Sequence, residues 1–326
     1  MINNSSIRCK YCNSNAVVKF GTYKGKQLYW CKVCKRKFKG DDALFHMKVK
    51  PEYVSHALSE YYSGMSIGDI ANTMKQETGY YPSKHIVYNW VDKFTSIAIN
   101  HFRDYKPNVG DIWVADETVL DMDKEKVWLW DIIDVKTRYL LASRLSRSRT
   151  TQDAQMLMER AIKTAGKPPR AVVTDKLSSY LDVFYGKDAE HRQGSPFNRE
   201  DSTSLIERFH GTLKDRTKVM RSFRDLETTI QFVNGFLVFY NYIRPHEALN
   251  GKTPAEVAGV DYDVKNWADA CRLPVLKQVE VISHRKPRIP RVKLPRTQIG
   301  RPRKRHRQPR KPVTIQPSLS TSRRIK

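Results

Sequence analysis

The sequence predicts a multidomain protein with a small cysteine-rich module, an all-α segment, an α/β domain and a disordered basic tail. Four of the five cysteines lie in two closely spaced pairs before residue 35. Apolar residues then recur at helical spacing, and further along strand-like and helix-like runs alternate, as is typical of an α/β domain. We place the four segments at residues 1–46, 47–105, 106–262 and 263–326.

The chain is strongly basic, with 59 Lys and Arg against 34 Asp and Glu and a formal net charge of +25. A surplus of this size favours a polyanionic partner, usually nucleic acid, although a merely soluble basic protein is the alternative. No run approaches the roughly 18 apolar residues of a membrane span, and the N-terminus lacks the apolar core of a secretory signal. We therefore expect a cytoplasmic, nucleoid-associated protein without a membrane partner. In that reducing compartment cysteines bind metal or stay free.

Two C-x-x-C motifs stand 18 residues apart near the N-terminus and comprise Cys9, Cys12, Cys31 and Cys34. Each pair offers two thiolates to a tetrahedral ion, and four thiolates leave no open position for water. The spacing is typical of a zinc ribbon, here with a hairpin between the pairs. We predict one structural Zn²⁺, with two disulfides or four unrelated thiols as the alternatives. Cys271 has no partner motif and is predicted to be an ordinary, partly buried thiol.

Three short helices are predicted between residues 47 and 105. The first covers Glu52–Tyr62, the second begins after Ser66 with an acid three positions on, and the third begins after Ser83. On the third helix the residues expected to face inward are Val87, Trp90, Val91 and Phe94.

The outer face of the third helix is then left with Lys84, His85, Tyr88 and Asn89. In a helix-turn-helix the N-terminal part of the last helix enters the major groove. The pattern resembles the helix-turn-helix of prokaryotic transposases and regulators, and these four residues are the predicted DNA contacts. A small helical linker with a solvated face is the alternative.

The α/β segment contains three predicted strands, a helix, a further strand and a further helix. Their predicted ranges are 111–121, 126–135, 139–143, 151–165, 170–175 and 204–219. This order is close to that of an RNase H-like fold, in which acids at strand ends and on one late helix converge. Three tryptophans of this segment, Trp113, Trp128 and Trp130, are predicted to pack in the core rather than to stack on unpaired bases.

Five short motifs carry a family resemblance: 113–117 (WVADE), 173–176 (VTDK), 206–208 (IER), 242–249 (YIRPHEAL) and 252–256 (KTPAE). They are similar to the DDE transposases of prokaryotic insertion sequences, whose core is related to that of retroviral integrases. The resemblance covers about 106–260. It implies that Asp116, Asp175 and Glu207 are catalytic metal ligands, separated by 58 and 31 residues. Glu200 is the nearest alternative for the third position.

The chemistry of phosphodiester cleavage independently requires such residues. Hard oxygen ligands hold two Mg²⁺ or Mn²⁺ ions, which activate the nucleophile and stabilise the leaving oxygen. Lys214 follows Glu207 by seven positions on nearly the same helix face, where it is predicted to hold a DNA phosphate. His210 shares that face and, with Arg244, is predicted to contact DNA. Four other acids are predicted to be caps or turn residues: Asp121, Asp123, Asp131 and Asp134.

The C-terminal tail is rich in Pro and basic residues, with sixteen Lys and Arg from Arg285 to Lys326 and no acid beyond Glu280. Such a composition does not pack a core. The segment 300–304 (GRPRK) resembles an AT-hook, which would place Arg301 and Arg303 in a narrow minor groove. A generic phosphate-binding tail is the alternative.

The family resemblance implies an insertion-sequence transposase. Such an enzyme binds double-stranded DNA at the terminal inverted repeats, frees a 3′-OH by nicking, and joins it to target DNA. It acts as a homo-oligomer that brings two ends together. One alternative is a catalytically inactive, transposase-derived DNA-binding regulator, against which the presence of all three acids argues. Another is an RNase H-type nuclease, which leaves the ribbon and the helix-turn-helix without a purpose.

Overall fold

A computed structural model describes residues 7–12, 14–40, 44, 47, 49–123, 125–195, 197 and 201–273. The predicted disordered tail, including Arg301 and Arg303, lies outside the described residues, as does the alternative ligand Glu200. Within the described part of the chain, no helix combines the length and the apolar character that crossing a membrane requires.

The N-terminal module is a three-stranded antiparallel sheet of β1 (Val17–Tyr23), β2 (Lys26–Cys31) and β3 (Lys37–Lys39). The predicted hairpin is confirmed, and it turns through Lys24 and Gly25, which both adopt positive φ. The third strand was not predicted because its three residues are too few for an alternating pattern. Its Phe38 packs with Cys9 and Cys31 in a core separate from that of the remaining chain.

Three helices follow at the predicted places: α1 (Pro51–Tyr62), α2 (Ile67–Thr78) and α3 (Lys84–Phe102). The side chain of Ser66 accepts the Asp69 backbone N–H at 3.1 Å, and that of Ser83 accepts the Ile86 backbone N–H at 3.3 Å. Each serine therefore satisfies one of the N–H groups that a helix start leaves unpaired. Gly79, at a φ of 71°, ends α2 in the left-handed conformation.

The helix α3 extends well beyond the predicted DNA-contact residues at its start and reaches the α/β part of the chain. The predicted inward residues are all buried: Val87, Trp90, Val91 and Phe94. At the far end of α3, Phe102 stacks on Tyr242 with ring centroids 3.9 Å apart. One hydrophobic core therefore runs from the three helices into the sheet.

The first residues of the predicted C-terminal extension also pack against this core. They form α8 (Trp267–Arg272), where Trp267 stacks on Tyr62 of α1 with ring centroids 4.9 Å apart. Both side chains are buried. Residues 263–273 thus complete the helical part of the molecule.

The second sheet has five strands in the order β6-β5-β4-β7-β8. They are β4 (Ile112–Met122), β5 (Glu125–Asp134), β6 (Leu140–Ser146), β7 (Ala171–Thr174) and β8 (Glu190–Gln193). The first three form an antiparallel meander, whereas β7 is parallel to β4 and β8 is parallel to β7. This arrangement agrees with the predicted RNase H-like order. The strand β8 was missed because its four residues are all polar.

The remaining helices are α4 (Thr151–Ala165), α5 (Ser204–Lys218), α6 (Leu226–Val238) and α7 (Pro254–Val257). α4 lies against β5 and β6, and α5 lies against β4 and β5. A π-helical turn, Phe239–Ile243, continues α6. As predicted, Trp113 and Trp130 are fully buried in this domain, and Trp128 is partly buried.

Helix α6 approaches α1 and α3 closely at Gly235. Beside this glycine, Tyr62 and Thr95 share a buried hydroxyl–hydroxyl hydrogen bond of 2.8 Å. A methyl group on Gly235 would overlap both of these side chains. Gly211, on α5, has no heavy atom within 4 Å of the corresponding position. The two glycines therefore differ in packing although both lie inside helices.

We expect Gly235→Ala to lower the free energy of unfolding by about 1–3 kcal/mol, because an overpacked core must shift its side chains. Gly211→Ala serves as the matched control and should raise that free energy by up to about 1 kcal/mol through helix propensity. Urea denaturation of the two variants measures both changes. Equal stability of the two would mean that α6 does not depend on this close approach.

Candidate active site

Asp116 and Asp175 meet at the edge of the central strand. They follow by two positions the residues Val114 and Val173, which are register partners in the parallel pair β4–β7. β7 ends at Thr174 while β4 continues to Met122, so from Asp116 the edge of β4 is no longer paired with β7. Side chains from either face of β4 can therefore gather around that edge.

Three carboxylates gather there: Asp116, Asp175 and Glu117, with one oxygen of each within 4.8 Å of the others. Asp116 and Asp175 were predicted to share a site, and Glu117 was not. Strand alternation normally directs neighbouring residues such as Asp116 and Glu117 to opposite faces. In the structure Glu117 still lies near Asp116 and Asp175, at the part of β4 that β7 no longer covers.

The third predicted acid, Glu207, is not a member of this cluster. It is exposed in the first turn of α5, where its side chain accepts the Thr203 hydroxyl at 2.9 Å. One turn later on α5, His210 reaches Asp116. Glu207 therefore lies on the helix that borders the carboxylates, on its solvent side.

His210 was predicted to contact DNA, and the structure places it between two carboxylates. The residue is only 5% exposed. Its Nδ1 lies 3.5 Å from Asp116 Oδ2, and its Nε2 lies 3.0 Å from Asp131 Oδ2. Burial by itself lowers the pKa of His210, but the hydrogen bonds and charges of Asp116 and Asp131 outweigh it and raise the pKa to about 9. The imidazolium thus offsets part of the negative charge of the two carboxylates.

Asp131 was predicted to be a cap or turn residue and instead lies fully buried in the middle of β5. Besides His210, its carboxylate accepts the hydroxyl of Ser143 on β6. The signal that sequence reasoning missed is an acid inside a continuous apolar run, because a buried charge needs a partner. Asp134 does behave as predicted, since it accepts the backbone N–H and the hydroxyl of Thr137 in the β5–β6 turn.

The other predicted DNA contacts lie apart from the carboxylates. Four are exposed on the first half of α3: Lys84, His85, Tyr88 and Asn89. Lys214 is exposed on α5, and Arg244 is half-buried after the π-helical turn. Nearby, His246 bonds to the Tyr240 carbonyl at 3.1 Å, and burial lowers its pKa to about 4. This histidine is therefore neutral at pH 7 and shapes a turn.

The donor set at the sheet edge fits a divalent ion. Asp116 and Asp175 are half-buried, and carboxylate oxygens are the ligands that Mg²⁺ and Mn²⁺ prefer. Backbone geometry also orders Asp175, whose carboxylate accepts the Leu177 N–H at 2.9 Å. The arrangement can hold cations close to a phosphate while the sheet keeps the acids in place.

Residues 110–246 match a family model described as a DDE domain, that of the IS240 transposase group. The chain contains a DDE transposase domain. DDE domains act in DNA transposition and recombination, which makes the protein an enzyme of the nuclease and transposase type. None of the curated protein sequences matches the chain.

Several solved integrase structures are similar to parts of this chain, each with a TM-score below 0.5. The HTLV-2 integrase catalytic core domain, in complex with magnesium, is 19% identical; the match covers 47% of this chain and 97% of that one, with a TM-score of 0.37. The catalytic core domain of BIV integrase is 17% identical, with coverages of 46% and 93% and a TM-score of 0.35. A chain of the simian T-cell lymphotropic virus intasome is 14% identical, with coverages of 68% and 76% and a TM-score of 0.34.

The N-terminal module of the chain brings four cysteines together. Cys9 Sγ lies 3.5 Å from Cys34 Sγ, Cys12 Sγ lies 3.6 Å from Cys31 Sγ, and all four sulfurs fall within 4.8 Å of one another. None of the four forms a disulfide. A tetrahedral zinc with bonds of about 2.3 Å separates its sulfurs by about 3.8 Å, so the spacing fits zinc.

The pKa shifts of the clustered sulfurs differ, since burial raises the pKa of Cys9 to about 12 and also raises that of Cys34. Burial works to raise the pKa of Cys31, but backbone N–H groups of Cys34 and Val33 donate to its sulfur and lower the pKa to about 7. Cys271 is different, because it is buried alone on α8 and its pKa is raised to about 12 by burial. Cys271 is therefore an inert thiol, close to the prediction of an ordinary, partly buried one.

We expect Cys12→Ser to release zinc and to loosen residues 14–40 without unfolding the DDE domain, because the binding energy of a structural zinc is folding energy for its module. Cys271→Ser is the control and should keep the full zinc content. Atomic absorption and limited proteolysis measure the two effects. Wild-type protein purified without chelators and found free of zinc would overturn the ribbon assignment.

We expect Asp131→Asn to lower the free energy of unfolding by about 3 kcal/mol, because it leaves the His210 imidazolium buried beside a neutral amide. Asp121→Asn removes an exposed acid from β4 and should change stability by less than about 0.5 kcal/mol. Guanidinium denaturation in EDTA compares the two variants. An Asp131→Asn protein as stable as the Asp121→Asn control would contradict the assigned ion pair.

Proposed function

We propose that this protein is an insertion-sequence transposase that cuts DNA at the terminal inverted repeats of its element and joins the freed 3′-OH to target DNA. The observation that carries the proposal is the convergence of Asp116 and Asp175 at the uncovered edge of β4, within a DDE domain. An inactive regulator would have no use for acids kept together against their mutual repulsion.

Asp116, Asp175 and Glu207 are the residues that we propose to hold two Mg²⁺ or Mn²⁺ ions. When bound, such ions activate the attacking oxygen and stabilise the leaving oxygen of a phosphodiester. Asp116 is kept in place by His210. Glu207 is solvent-exposed on α5, and to join the other two acids its side chain exchanges the Thr203 hydroxyl for the metal.

Lys214 is the proposed phosphate contact on the same helix as Glu207. It follows Glu207 by two helical turns and is exposed on the same side of α5. An ammonium there holds a phosphate of the bound strand as a point charge. Arg244, which is half-buried at the end of the π-helical turn, is proposed as a further DNA contact.

Recognition of the element ends is proposed for the N-terminal half of the chain. The side chains at the start of α3 stand free of the core and point into solvent: Lys84, His85, Tyr88 and Asn89. A rigid helix with a free polar N-terminal face suits the major groove, so we assign α1–α3 as a helix-turn-helix. We propose that zinc stabilises the small module that precedes the helix-turn-helix. Arg301 and Arg303 are proposed to belong to a tail that contacts phosphates.

Joining both ends of an element requires two DNA ends near one another. We therefore propose that the protein acts as a homo-oligomer on double-stranded DNA. The surplus of 25 positive charges supports a large phosphate-binding surface.

We expect Asp116→Asn, Asp175→Asn and Glu207→Gln each to abolish cleavage and strand joining while leaving the affinity for the element end largely intact, because each removes a ligand charge but little volume. The assay combines purified protein, a labelled duplex carrying the element end, a target plasmid and Mg²⁺, and scores the joined product. Asp182→Asn, which changes an exposed acid a few residues after Asp175, is the control and should stay active.

A variant that still joined strands at the wild-type rate would remove its residue from the site. A wild-type protein that bound the element end but formed neither nicked nor joined product would instead support the inactive regulator.

A further inference from the structure

Glu117 belongs to the acidic cluster, yet three hydrogen-bond donors already occupy its carboxylate. Its Oε1 accepts from Arg149, through Nη2 and through Nε at 2.9 Å, and its Oε2 accepts the Tyr180 hydroxyl at 3.0 Å. The side chain is 1% exposed. Burial raises the pKa of Glu117 and the hydrogen bond and charge of Arg149 oppose that shift. With three donors on two oxygens, this carboxylate is poorly placed to serve as a metal ligand.

Arg149 is held on several sides at the rim of the cluster. Its guanidinium lies 4.5 Å from the ring centroid of Trp128, and its backbone carbonyl accepts the Ser179 hydroxyl at 3.0 Å. It directly precedes Thr150, the N-cap of α4. Although it bonds a buried acid, the Arg149 side chain is 37% exposed. One side of the guanidinium is therefore fixed and the other faces solvent.

We propose that Arg149 binds a phosphate of the DNA strand at the active site, and that Glu117 is the positioning residue that aims it. The proposal rests on the proposed function, since it assigns a substrate contact to the same site. A carboxylate oxygen of Glu117 lies within 4.8 Å of those of Asp116 and Asp175. The guanidinium bonded to Glu117 is therefore close enough to the proposed metal-binding acids for one phosphate group to contact both.

Arginine suits this position for physical reasons. Its planar guanidinium has five N–H donors, so bonding Glu117 through Nε and Nη2 leaves donors for a phosphate oxygen. Its charge also offsets the concentration of negative charge that a phosphate must approach. Because Glu117 and Trp128 already restrict the side chain, binding a phosphate costs little further rotamer entropy.

A matched control lies two residues earlier on the same loop. Arg147 is paired with Glu125 at 3.5 Å, but these side chains are 70% and 63% exposed. A pair of this kind contributes little to stability and fixes no geometry. Arg147→Gln and Glu125→Gln therefore remove the same charges as Arg149→Gln and Glu117→Gln without disturbing the cluster.

The first experiment measures metal affinity rather than activity. Mn²⁺ is titrated into the full-length protein and followed by water-proton relaxation. Asp116→Asn should weaken Mn²⁺ binding by more than about tenfold, whereas Glu117→Gln and Glu125→Gln should leave it unchanged. If Glu117→Gln weakened Mn²⁺ binding as much as Asp116→Asn, Glu117 would be a metal ligand and the proposal would be wrong.

The second experiment measures the salt dependence of binding to a labelled duplex that carries the element end. Loss of one phosphate contact lowers the slope of log K against log salt by about 0.9, so Arg149→Gln should show this decrease and Arg147→Gln should not. Arg149→Lys keeps the charge and should keep the slope. Equal slopes for Arg149→Gln and Arg147→Gln would overturn the phosphate contact, whether or not the protein cleaves DNA.

The third experiment compares nicking rates of the folded variants. Arg149→Gln should lower the rate by about a hundredfold, the effect of removing one well-placed donor from a reacting centre. Arg149→Lys should recover only part of this, because an ammonium cannot bridge Glu117 and Trp128 in the same way. Glu117→Gln combined with Arg149→Gln should be no slower than the slower single variant, since the two residues act as a unit.

Additive losses in the double variant would show that the two residues act separately and would contradict the positioning role. A wild-type protein that fails to nick any DNA would refute the proposed function alone, because the Mn²⁺ titration and the salt slopes still decide the roles of Glu117 and Arg149.

Discussion

The buried ion pairs of His210 are the interaction on which the rest of the active site depends. The imidazole connects Asp116 on β4 with Asp131 on β5, and it is carried by α5. Removing charges from water is costly unless they are paired, so this contact holds α5 against the sheet in one orientation. That orientation determines where the first turn of α5, with Glu207, meets the solvent. The position of one proposed ligand is therefore a consequence of a histidine one turn later.

A second ion pair, between Glu117 and Arg149, lies next to that of Asp116 and His210 on β4. Asp116 and Glu117 are adjacent in β4, and each is paired with a different cation, His210 and Arg149 respectively. Three carboxylates could not otherwise remain within 4.8 Å of one another at the edge of a largely apolar sheet. His210 and Arg149 thus offset part of the negative charge that the carboxylates place at the edge of β4. Asp116 and Asp175 remain partly exposed, whereas Glu117 and His210 are buried and hold neighbouring side chains in place.

Aromatic packing ties the three N-terminal helices to the catalytic part of the chain. Tyr62 stacks on Trp267 and bonds Thr95, and Gly235 of α6 lies against this pair. Phe102 extends the same packing to Tyr242. A helical segment packed in this way cannot move independently of the sheet without exposing large aromatic surfaces, each of which contributes strongly to core stability. DNA bound at the start of α3 would therefore be held at a defined distance from the carboxylates.

Local features of the sequence determined the helices α1 to α5, most strands and the cysteine pairs, because periodicity, caps and motif spacing act over a few residues. The later helices α6, α7 and α8 were not predicted. The pair Asp116 and Asp175 was predicted from the resemblance of its motifs to a known family. The roles of Glu117, Asp131 and His210 were decided only by the tertiary structure. Strand alternation separates Glu117 from Asp116, and nothing local reveals that β7 ends where β4 continues. Asp131 and His210 stand 79 residues apart, and their pairing exists only once α5 packs on the sheet. Burial makes such charges depend on partners that are distant in sequence, which is why local patterns could not assign them.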